Sequence, residues 1–191
     1  MANKSTISDF KIAVQRHRGF AKANRFSVEI TNAPGLDPES ARDLSFMCES
    51  VSIPGKQITT VDYDNGTRRP LKIPTGVIDD DVAITFNLTN NYFVKRAFDA
   101  WLNQIIGQQY LLNYIDQYVR DVKISQLDEE DNEIYVVVLK NAYPFQVGAI
   151  ELANASVDTI STVTVTFACD EVMTPALPFI GDVNIPTIPI V

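Results

Sequence analysis

Few residues in this chain of 191 could carry catalysis or bind a metal. His17 is its only histidine, which excludes a histidine-based triad and a histidine-rich metal site. Cys48 and Cys169 form no CxxC or zinc-type spacing, so we expect two small buried thiols without a disulfide. Glu129 and Glu130 could pair as acid and base, but a hydrophilic turn gives no apolar surroundings to separate their pKa values.

The common nucleotide-binding and hydrolase motifs are also missing. The sequence contains no GxGxxG, GxxxxGK[ST], GxSxG or HExxH pattern. We therefore predict no catalytic residue, no metal ligand, no cofactor and no enzymatic activity. The functional surface should instead be an interface.

Charge divides the chain into a basic segment and an acidic remainder. With 16 basic and 24 acidic residues, the net charge is −8. Residues 56–72 hold four basic and two acidic residues, a net of +2, which leaves −10 for the rest. A chain with this balance lacks the electrostatic footprint of a nucleic-acid-binding protein. We expect a basic arm on an acidic body.

The basic segment has the pattern of a β-hairpin. Two β-type runs, residues 57–63 and 67–73, meet at Asp64-Asn65-Gly66, in which the Asn-Gly pair is a strong hairpin signal. A two-stranded ribbon is marginal in water, so we expect a neighbouring copy to complete this arm, residues 54–76. The alternative is a surface hairpin packed on its own domain. The residues assigned to the inter-subunit arm are Lys56, Asp62, Asn65, Gly66, Arg68, Arg69 and Lys72.

Two acidic blocks could receive the arginines of the arm in an adjacent subunit. The first consists of Asp79, Asp80 and Asp81, and the second of Asp128, Glu129, Glu130 and Asp131. An exposed ion pair contributes only about 0–1 kcal/mol, so such contacts matter through their repetition in an assembly. The alternative is that both blocks are solvated turns.

The elements that must position these residues are mostly strands. Alternation of apolar and polar residues predicts half-buried strands, and the apolar spacing of residues 91–106, with Trp101 in the stripe, predicts a helix that covers a sheet. We expect a mainly β fold, a sandwich or barrel of six to eight strands with one packed α-helix, an N-terminal helix and a long protruding hairpin arm. Helices are predicted at residues 6–18 and 91–106, and strands at residues 25–30, 44–53, 81–88, 119–127, 133–139 and 156–169, with a turn-rich loop after the first strand.

The chain should form one domain, residues 1–174, with an appended C-terminal strap. Residues 175–191 are apolar and rich in proline, which fits an extended strap on the same or another subunit, whereas terminal disorder is the alternative. No apolar run is long enough to span a bilayer, and residues 1–20 offer no signal-peptide core. We expect a soluble protein without a membrane partner, assembled in a cytoplasm.

Several phrases of the sequence resemble the inner tail-tube proteins of contractile-tailed bacteriophages. Residues 20–30, FAKANRFSVEI, resemble the opening strand of that family, and residues 48–54, CESVSIP, precede a basic hairpin that looks like its inter-subunit arm. Residues 92–106 resemble its single helix with a tryptophan. The resemblance covers about residues 8–172, and the family shares its fold with the inner tubes of type VI secretion.

The resemblance implies hexameric rings that stack into a tube for DNA inside a contractile sheath. It also implies baseplate and tail-terminator proteins as partners and a place in the virion. The polar side of the strands should then face the lumen, where small, mostly uncharged side chains give phosphates nothing to hold. The lumen-facing candidates are Ser27, Glu29, Thr85, Asn87, Thr162, Thr164 and Thr166.

Two other functions remain open at this point. A baseplate tube-initiator or the tube subunit of a type VI or other injection machine would share the same fold. From a different class, a β-sandwich that binds a small molecule would need a concave apolar pocket with convergent polar groups, which the sequence does not reveal.

Overall fold

The computed structural model describes residues 6–17, 19–31, 33–34, 36–64, 66, 70–107, 111–153 and 158–175. Three of the predicted arm residues, Asn65, Arg68 and Arg69, lie outside the described residues, as does the strap beyond residue 175. The described elements are α1 (Ile7–Arg16), β1 (Phe26–Ile30), α2 (Pro38–Phe46), β2 (Cys48–Val51), β3 (Lys56–Tyr63), β4 (Leu71–Asp79), β5 (Val82–Asn87), α3 (Phe93–Ile105), α4 (Ile115–Tyr118), β6 (Arg120–Leu127), β7 (Glu133–Val147), β8 (Thr162–Ala168) and β9 (Glu171–Met173).

The predicted mainly β fold is confirmed. Seven antiparallel strands form the body in the order β1-β6-β7-β8-β5-β2, with β9 paired to β7, and β3 and β4 form the arm. The long strand β7 connects two parts of this sheet, because its first part pairs with β6 and β9 and its last part, from Tyr143, pairs with β8. Near the end of the first part, Asn141 has a φ of 51°, a conformation that asparagine tolerates better than most residues.

One hydrophobic core lies between the strands and α3. Strand residues that alternate with polar ones point inward, and the core residues of β1, β5, β6, β7 and β8 belong to one cluster. Phe98 and Trp101 of α3 are buried in an aromatic cluster with Phe86 and Phe167, in which the centroids of contacting rings are 5.1–6.3 Å apart. The Trp101 indole N–H donates to the backbone oxygen of Tyr118 at 2.8 Å. The amphipathic helix predicted from its spacing is therefore the element that covers the sheet.

The region before the arm differs from the prediction. Residues 38–46 form α2, where a loop and the start of a strand were predicted, and the following strand β2 is only Cys48–Val51. Pro38 stands in the first turn after Asp37, where its missing N–H costs nothing, and Leu44 is the buried residue of the helix. These residues carry little apolar periodicity, so the turn-forming residues dominated the prediction.

The arm extends further at its root than predicted. The last described pair of the ladder is Tyr63 with Leu71, and the predicted turn at residues 64–66 includes Asn65, which lies outside the described residues. The ladder continues to Lys56 opposite Asp79, beyond the predicted end at residue 76. A register shift at Thr75 lets β4 include Pro74 within the ladder. The final strand also starts later than predicted, at Thr162, and is followed by β9.

Candidate assembly surfaces

The arm exposes an apolar patch as well as charge. Because residues directly opposite in an antiparallel pair share a face, Val61 and Ile73 lie on the same face as Tyr63 and Leu71. These four side chains are 42–58% exposed. The opposite face carries Asp62 across from Lys72. The sequence analysis identified the charges but missed this patch, which the pairing register alone brings together.

The root of the arm is held by contacts within the subunit. The Lys56 ammonium lies 3.8 Å from Asp79 and donates to the backbone oxygen of Val172 at 3.4 Å. The Val172 N–H donates to the Asp79 carboxylate at 3.4 Å, and the Asp80 N–H donates to the backbone oxygen of Gly55 at 3.2 Å. Asp79 therefore acts in its own subunit, whereas the side chains of Asp80 and Asp81 are exposed at the arm root.

The second acidic block is engaged with the N-terminal segment of the same chain. Glu129 pairs with Lys22 at 2.5 Å, and Asp131 pairs with Arg25 at 2.6 Å. The hydrogen bond from Lys22 holds the pKa of Glu129 below its usual value. The Asp128 carboxylate accepts backbone N–H groups inside the turn. This turn fastens the segment that leads into β1, a role that the sequence analysis did not assign to it.

Five of the predicted lumen residues lie on one face. In the register of β5 with β8, Thr85 is opposite Thr164, and their hydroxyl oxygens are 3.1 Å apart. Asn87 is opposite Thr162, and Thr166 lies on the same side because residues alternate along a strand. All five point away from the core formed by the alternating valines, isoleucines and phenylalanines. They form a hydroxyl and amide surface without charge, which we call the neutral face.

The other two predicted lumen residues lie on a different part of the sheet. Ser27 is opposite Ser125 in β6, and Glu29 is opposite Lys123. The Lys123 ammonium is 3.9 Å from Glu29 and 2.5 Å from Glu133, whose carboxylate also accepts a hydrogen bond from Ser125. The hydrogen bond between Lys123 and Glu133 raises the pKa of the lysine and lowers that of the glutamate. The structure therefore separates Ser27 and Glu29 from the neutral face.

The sheet behind the neutral face has two free edges. Within the described residues, β2 pairs only with β5, and residues 143–147 of β7 pair only with β8. The strands β2, β5, β8 and this part of β7 thus form a four-stranded unit with one open edge on each side. Phe145 is 46% exposed at one of these edges. Sequence alternation locates strands but not their neighbours, so neither edge could be predicted.

A groove lies between the edge strands β1 and β2. It has a volume of about 870 Å³, and α2 forms one of its walls. Phe46 of α2 is 69% exposed there, with the Arg42 guanidinium 5.5 Å above its ring. Glu29 and Glu49 contribute carboxylates to the lining. We call this feature the seam groove.

Both cysteines are free thiols, half-buried rather than fully buried as expected. Burial raises the pKa of the Cys48 thiol to about 11 and also raises that of Cys169. In the described part of the chain, no group of three or more histidine, cysteine, aspartate or glutamate side chains could hold a metal ion. None of the helices described is both long and apolar enough to cross a membrane.

Comparison with known proteins gives the family of this chain. A model of the phage tail tube protein family matches residues 21–174, which include every strand of the body and the arm. The chain belongs to the phage tail tube protein family. The resemblance noted in the sequence is confirmed, and the protein is a structural subunit of a tail tube. The family match stops before the proline-rich strap.

The individual relatives of this tail tube protein share only about a fifth to a quarter of its residues. It is 26% identical over 170 residues to the tail tube protein of Serratia phage KSP90, which covers 87% of this chain and 93% of the relative. Its fold resembles a chain of the sheath-tube complex of the extracellular contractile injection system PVC, with 19% identity, a TM-score of 0.59, and coverage of 91% of this chain and 100% of that chain. A chain of the sheath/tube terminator of the same system gives 19% identity, a TM-score of 0.60 and coverage of 81% and 96%.

Proposed function

We propose that this tail tube protein assembles into closed rings of six copies that stack into a channel for DNA inside a contractile sheath. The observation that carries the proposal is the four-stranded unit, which has an open edge on each side and an uncharged polar face. Unpaired strand edges favour pairing with another chain. An open edge at both sides of one sheet therefore suits a subunit that repeats.

Ring closure follows from the kind of contact that these edges can make. The free edge of β2 and that of residues 143–147 are different surfaces on opposite sides of one sheet. Pairing one with the other is a heterologous contact, which gives a ring when the rotation between copies closes. The closed sheet would leave no exposed edge around the ring.

The neutral face is the proposed lumen wall. A polyanion binds protein mainly through lysine and arginine, and the face consists of threonine hydroxyls and one amide. DNA would meet hydrogen-bonding groups without a fixed positive charge and would slide. Ser27 and Glu29 are not part of this wall in our proposal, because they belong to the ion-paired surface around Lys123.

The arm is the proposed clasp between neighbouring copies. Its exposed apolar patch supports burial against another subunit, and Arg68 and Arg69 supply charge close to the tip in the sequence. Of the two acidic blocks, the pair Asp80 and Asp81 is the better acceptor, because Glu129 and Asp131 are already paired within their own subunit.

The remaining proposals concern partners and location. The tube would contact a sheath protein on its outside and baseplate and tail-terminator proteins at its ends, in a virion tail assembled in the host cytoplasm. We propose one domain, residues 1–174, with residues 175–191 as a strap on a subunit surface. The role is structural, without catalysis or a cofactor. A baseplate tube-initiator or an injection-machine tube subunit is the alternative with the same fold.

Imaging of the purified protein tests the proposal. We expect rings or tubes with a hollow centre in negative-stain micrographs, and sedimentation as oligomers whose fraction rises with protein concentration. Six-fold averages of the rings would support the proposed number of copies. Dispersed monomers at every concentration, combined with binding of a small molecule, would overturn the proposal and favour the ligand-binding alternative.

A further inference from the structure

The N-terminal helix α1 has an apolar side that its own chain leaves uncovered. None of its residues is buried, and Ile7 and Phe10 are 77% and 60% exposed. The ring of Phe10 contacts Phe20, which is itself 74% exposed. Ile7, Phe10 and Val14 follow the spacing i, i+3, i+7 and share one side of the helix, the α1 stripe. A helix of this length is marginal in water by itself, so its stripe needs a covering surface.

The helix is nevertheless well formed at both ends. Thr6 and Asp9 form a reciprocal capping box, in which the Thr6 N–H donates to the Asp9 carboxylate at 2.8 Å. At the other end, Gly19 has a φ of 94° and its N–H donates to the backbone oxygen of Val14 at 2.9 Å. The pair of Lys22 with Glu129 then fastens the root of α1 to the turn between β6 and β7. The sequence thus defines a helix that is held at its root and left open on its apolar side.

The seam groove has the complementary properties. It exposes the Phe46 ring, and a free strand edge lies on each of its sides. Residues 36–51, which form α2 and β2, carry four acidic residues and one basic residue, a net of −3. Residues 1–22 carry five basic residues and one acidic residue, a net of +4. The helix and the groove therefore both expose apolar side chains, and the N-terminal segment and the region of α2 and β2 carry opposite net charges.

We infer that α1 of one copy docks in the seam groove of a second copy and lays its stripe against Phe46. The volume of about 870 Å³ suits a few anchoring side chains of an amphipathic helix, which is a common mode of recognition. The occupant is another copy of the chain because the family is one of tube subunits and the charges of the two surfaces are opposite. This inference rests on the proposed self-assembly and names a contact in addition to the arm and the sheet edges.

Cysteine cross-linking between two differently labelled copies tests this contact. Both native cysteines, Cys48 and Cys169, are first replaced by alanine. Copies with Phe10→Cys are then mixed with copies carrying Ser45→Cys, a conservative change in the wall of the groove. We expect a short bis-maleimide to give a covalent dimer with the 10–45 linkage, identified by mass spectrometry. The matched control is Ile12→Cys, which is 54% exposed on the opposite side of the same helix and should give at least about tenfold less dimer.

Three outcomes would overturn the inference. The first is equal dimer yield from the Phe10→Cys and Ile12→Cys mixtures. The second is a chain with Phe10→Cys and Ser45→Cys that links only within itself, because the groove would then receive its own helix. The third is absence of the 10–45 linkage together with Phe10-dependent sedimentation on phosphatidylglycerol vesicles, which would make α1 a membrane-binding helix. Micrographs of the same samples separate this failure from failure of the proposed function, since rings without the linkage contradict only the docking of α1.

Discussion

At the scale of single residues, one glycine in this tail tube protein is required by a close backbone approach. A Cβ added to Gly148 would lie 2.9 Å from the backbone oxygen of Thr164, which accepts the Gly148 N–H at 2.7 Å. We expect Gly148→Ala to destabilise the subunit by about 1–3 kcal/mol and to lower the melting temperature by several degrees. Thermal denaturation followed by circular dichroism measures the change.

A second glycine gives the control for this prediction. Gly76 also lies next to a strand partner, but a Cβ added there meets no atom within 4 Å. Gly76→Ala should leave the melting temperature nearly unchanged. Equal effects of the two substitutions would show that the contact with Thr164 does not require a glycine.

The ion pair of Lys123 with Glu133 predicts a dependence of stability on pH. The folded-state pKa of Glu133 is lowered, so its contribution is fully present above the unfolded-state pKa near 4.5 and is lost as the pH falls through the folded value. We expect Glu133→Gln to lower the free energy of unfolding at pH 7 by up to about 1 kcal/mol, because both side chains are about one-third exposed.

Urea denaturation at several pH values measures this difference. The free energies of Glu133→Gln and wild type should converge in acid, once the carboxylate is protonated in both states. Glu151→Gln, at an exposed loop position, is the control and should follow wild type throughout. A constant difference across the pH range would contradict an ionic origin.

The neutral face predicts a kinetic effect on DNA passage. Thr85→Lys with Thr164→Lys puts two charges on the proposed lumen wall, where each would be repeated in every subunit. Phosphates bind lysine, so we expect intact tubes in micrographs and slower genome ejection, measured by release of fluorescently stained DNA. Ala100→Lys with Asn103→Lys adds the same charge on the exposed side of α3 and should not slow ejection. Unchanged ejection with the first pair would contradict the assignment of the wall.

At the scale of elements, the sequence predicted those whose pattern repeats and failed where context decides. The spacing of apolar residues in α3 predicted both the helix and its buried stripe. In the structure, Phe98 and Trp101 of this stripe are almost completely shielded from solvent. The helix α2 has one buried residue, Leu44, and too little periodicity to be distinguished from a loop. The neutral face could be predicted in part, because alternation defines each strand's polar side but not which strands are neighbours. Ser27 and Glu29 were grouped with it for that reason.

The arm predicts a salt-dependent step of assembly. Arg68→Glu with Arg69→Glu should leave the subunit folded, because the buried core of the described residues contains no residue of the arm. Sedimentation should shift from rings or tubes toward monomers, most strongly at low salt, where screening is weakest. A charge reversal of Asp80 and Asp81 to lysine should restore assembly of this variant if those residues are the acceptor.

The control for the arm is a charge reversal elsewhere on the surface. Arg96→Glu changes an exposed arginine on α3 and should assemble like wild type. If the variant with both arginines of the arm reversed also assembles like wild type at low salt, the charges of the arm do not hold the copies together. The apolar patch around Tyr63 would then be the part of the arm to test next.

At the scale of the whole molecule, the two free edges of the four-stranded unit determine whether copies of this unit can pair into a ring. Glu49 stands at the register shift of β2, and Glu49→Pro would remove a backbone N–H from this edge strand, where proline discourages pairing with another chain. Phe145→Lys would place a charge at the edge of β7, a device that discourages strand pairing. Each variant retains one intact edge of the four-stranded unit, and a heterologous ring built on this unit should therefore fail to close.

Mixing the two edge variants gives the decisive result. A Glu49→Pro copy still offers the edge of β7, and a Phe145→Lys copy still offers that of β2, so one good contact can form between them. Both variants also carry the charge reversal of the arm at Arg68 and Arg69. In analytical ultracentrifugation we expect monomers of each variant alone, and heterodimers but nothing larger in the mixture. If the edges instead paired with their own kind, each variant alone would form homodimers, since one self-pairing edge would remain intact. Homodimers of the separate variants would therefore contradict head-to-tail closure of the ring. Dimers that form only in the mixture would show that unlike edges pair, as head-to-tail closure requires.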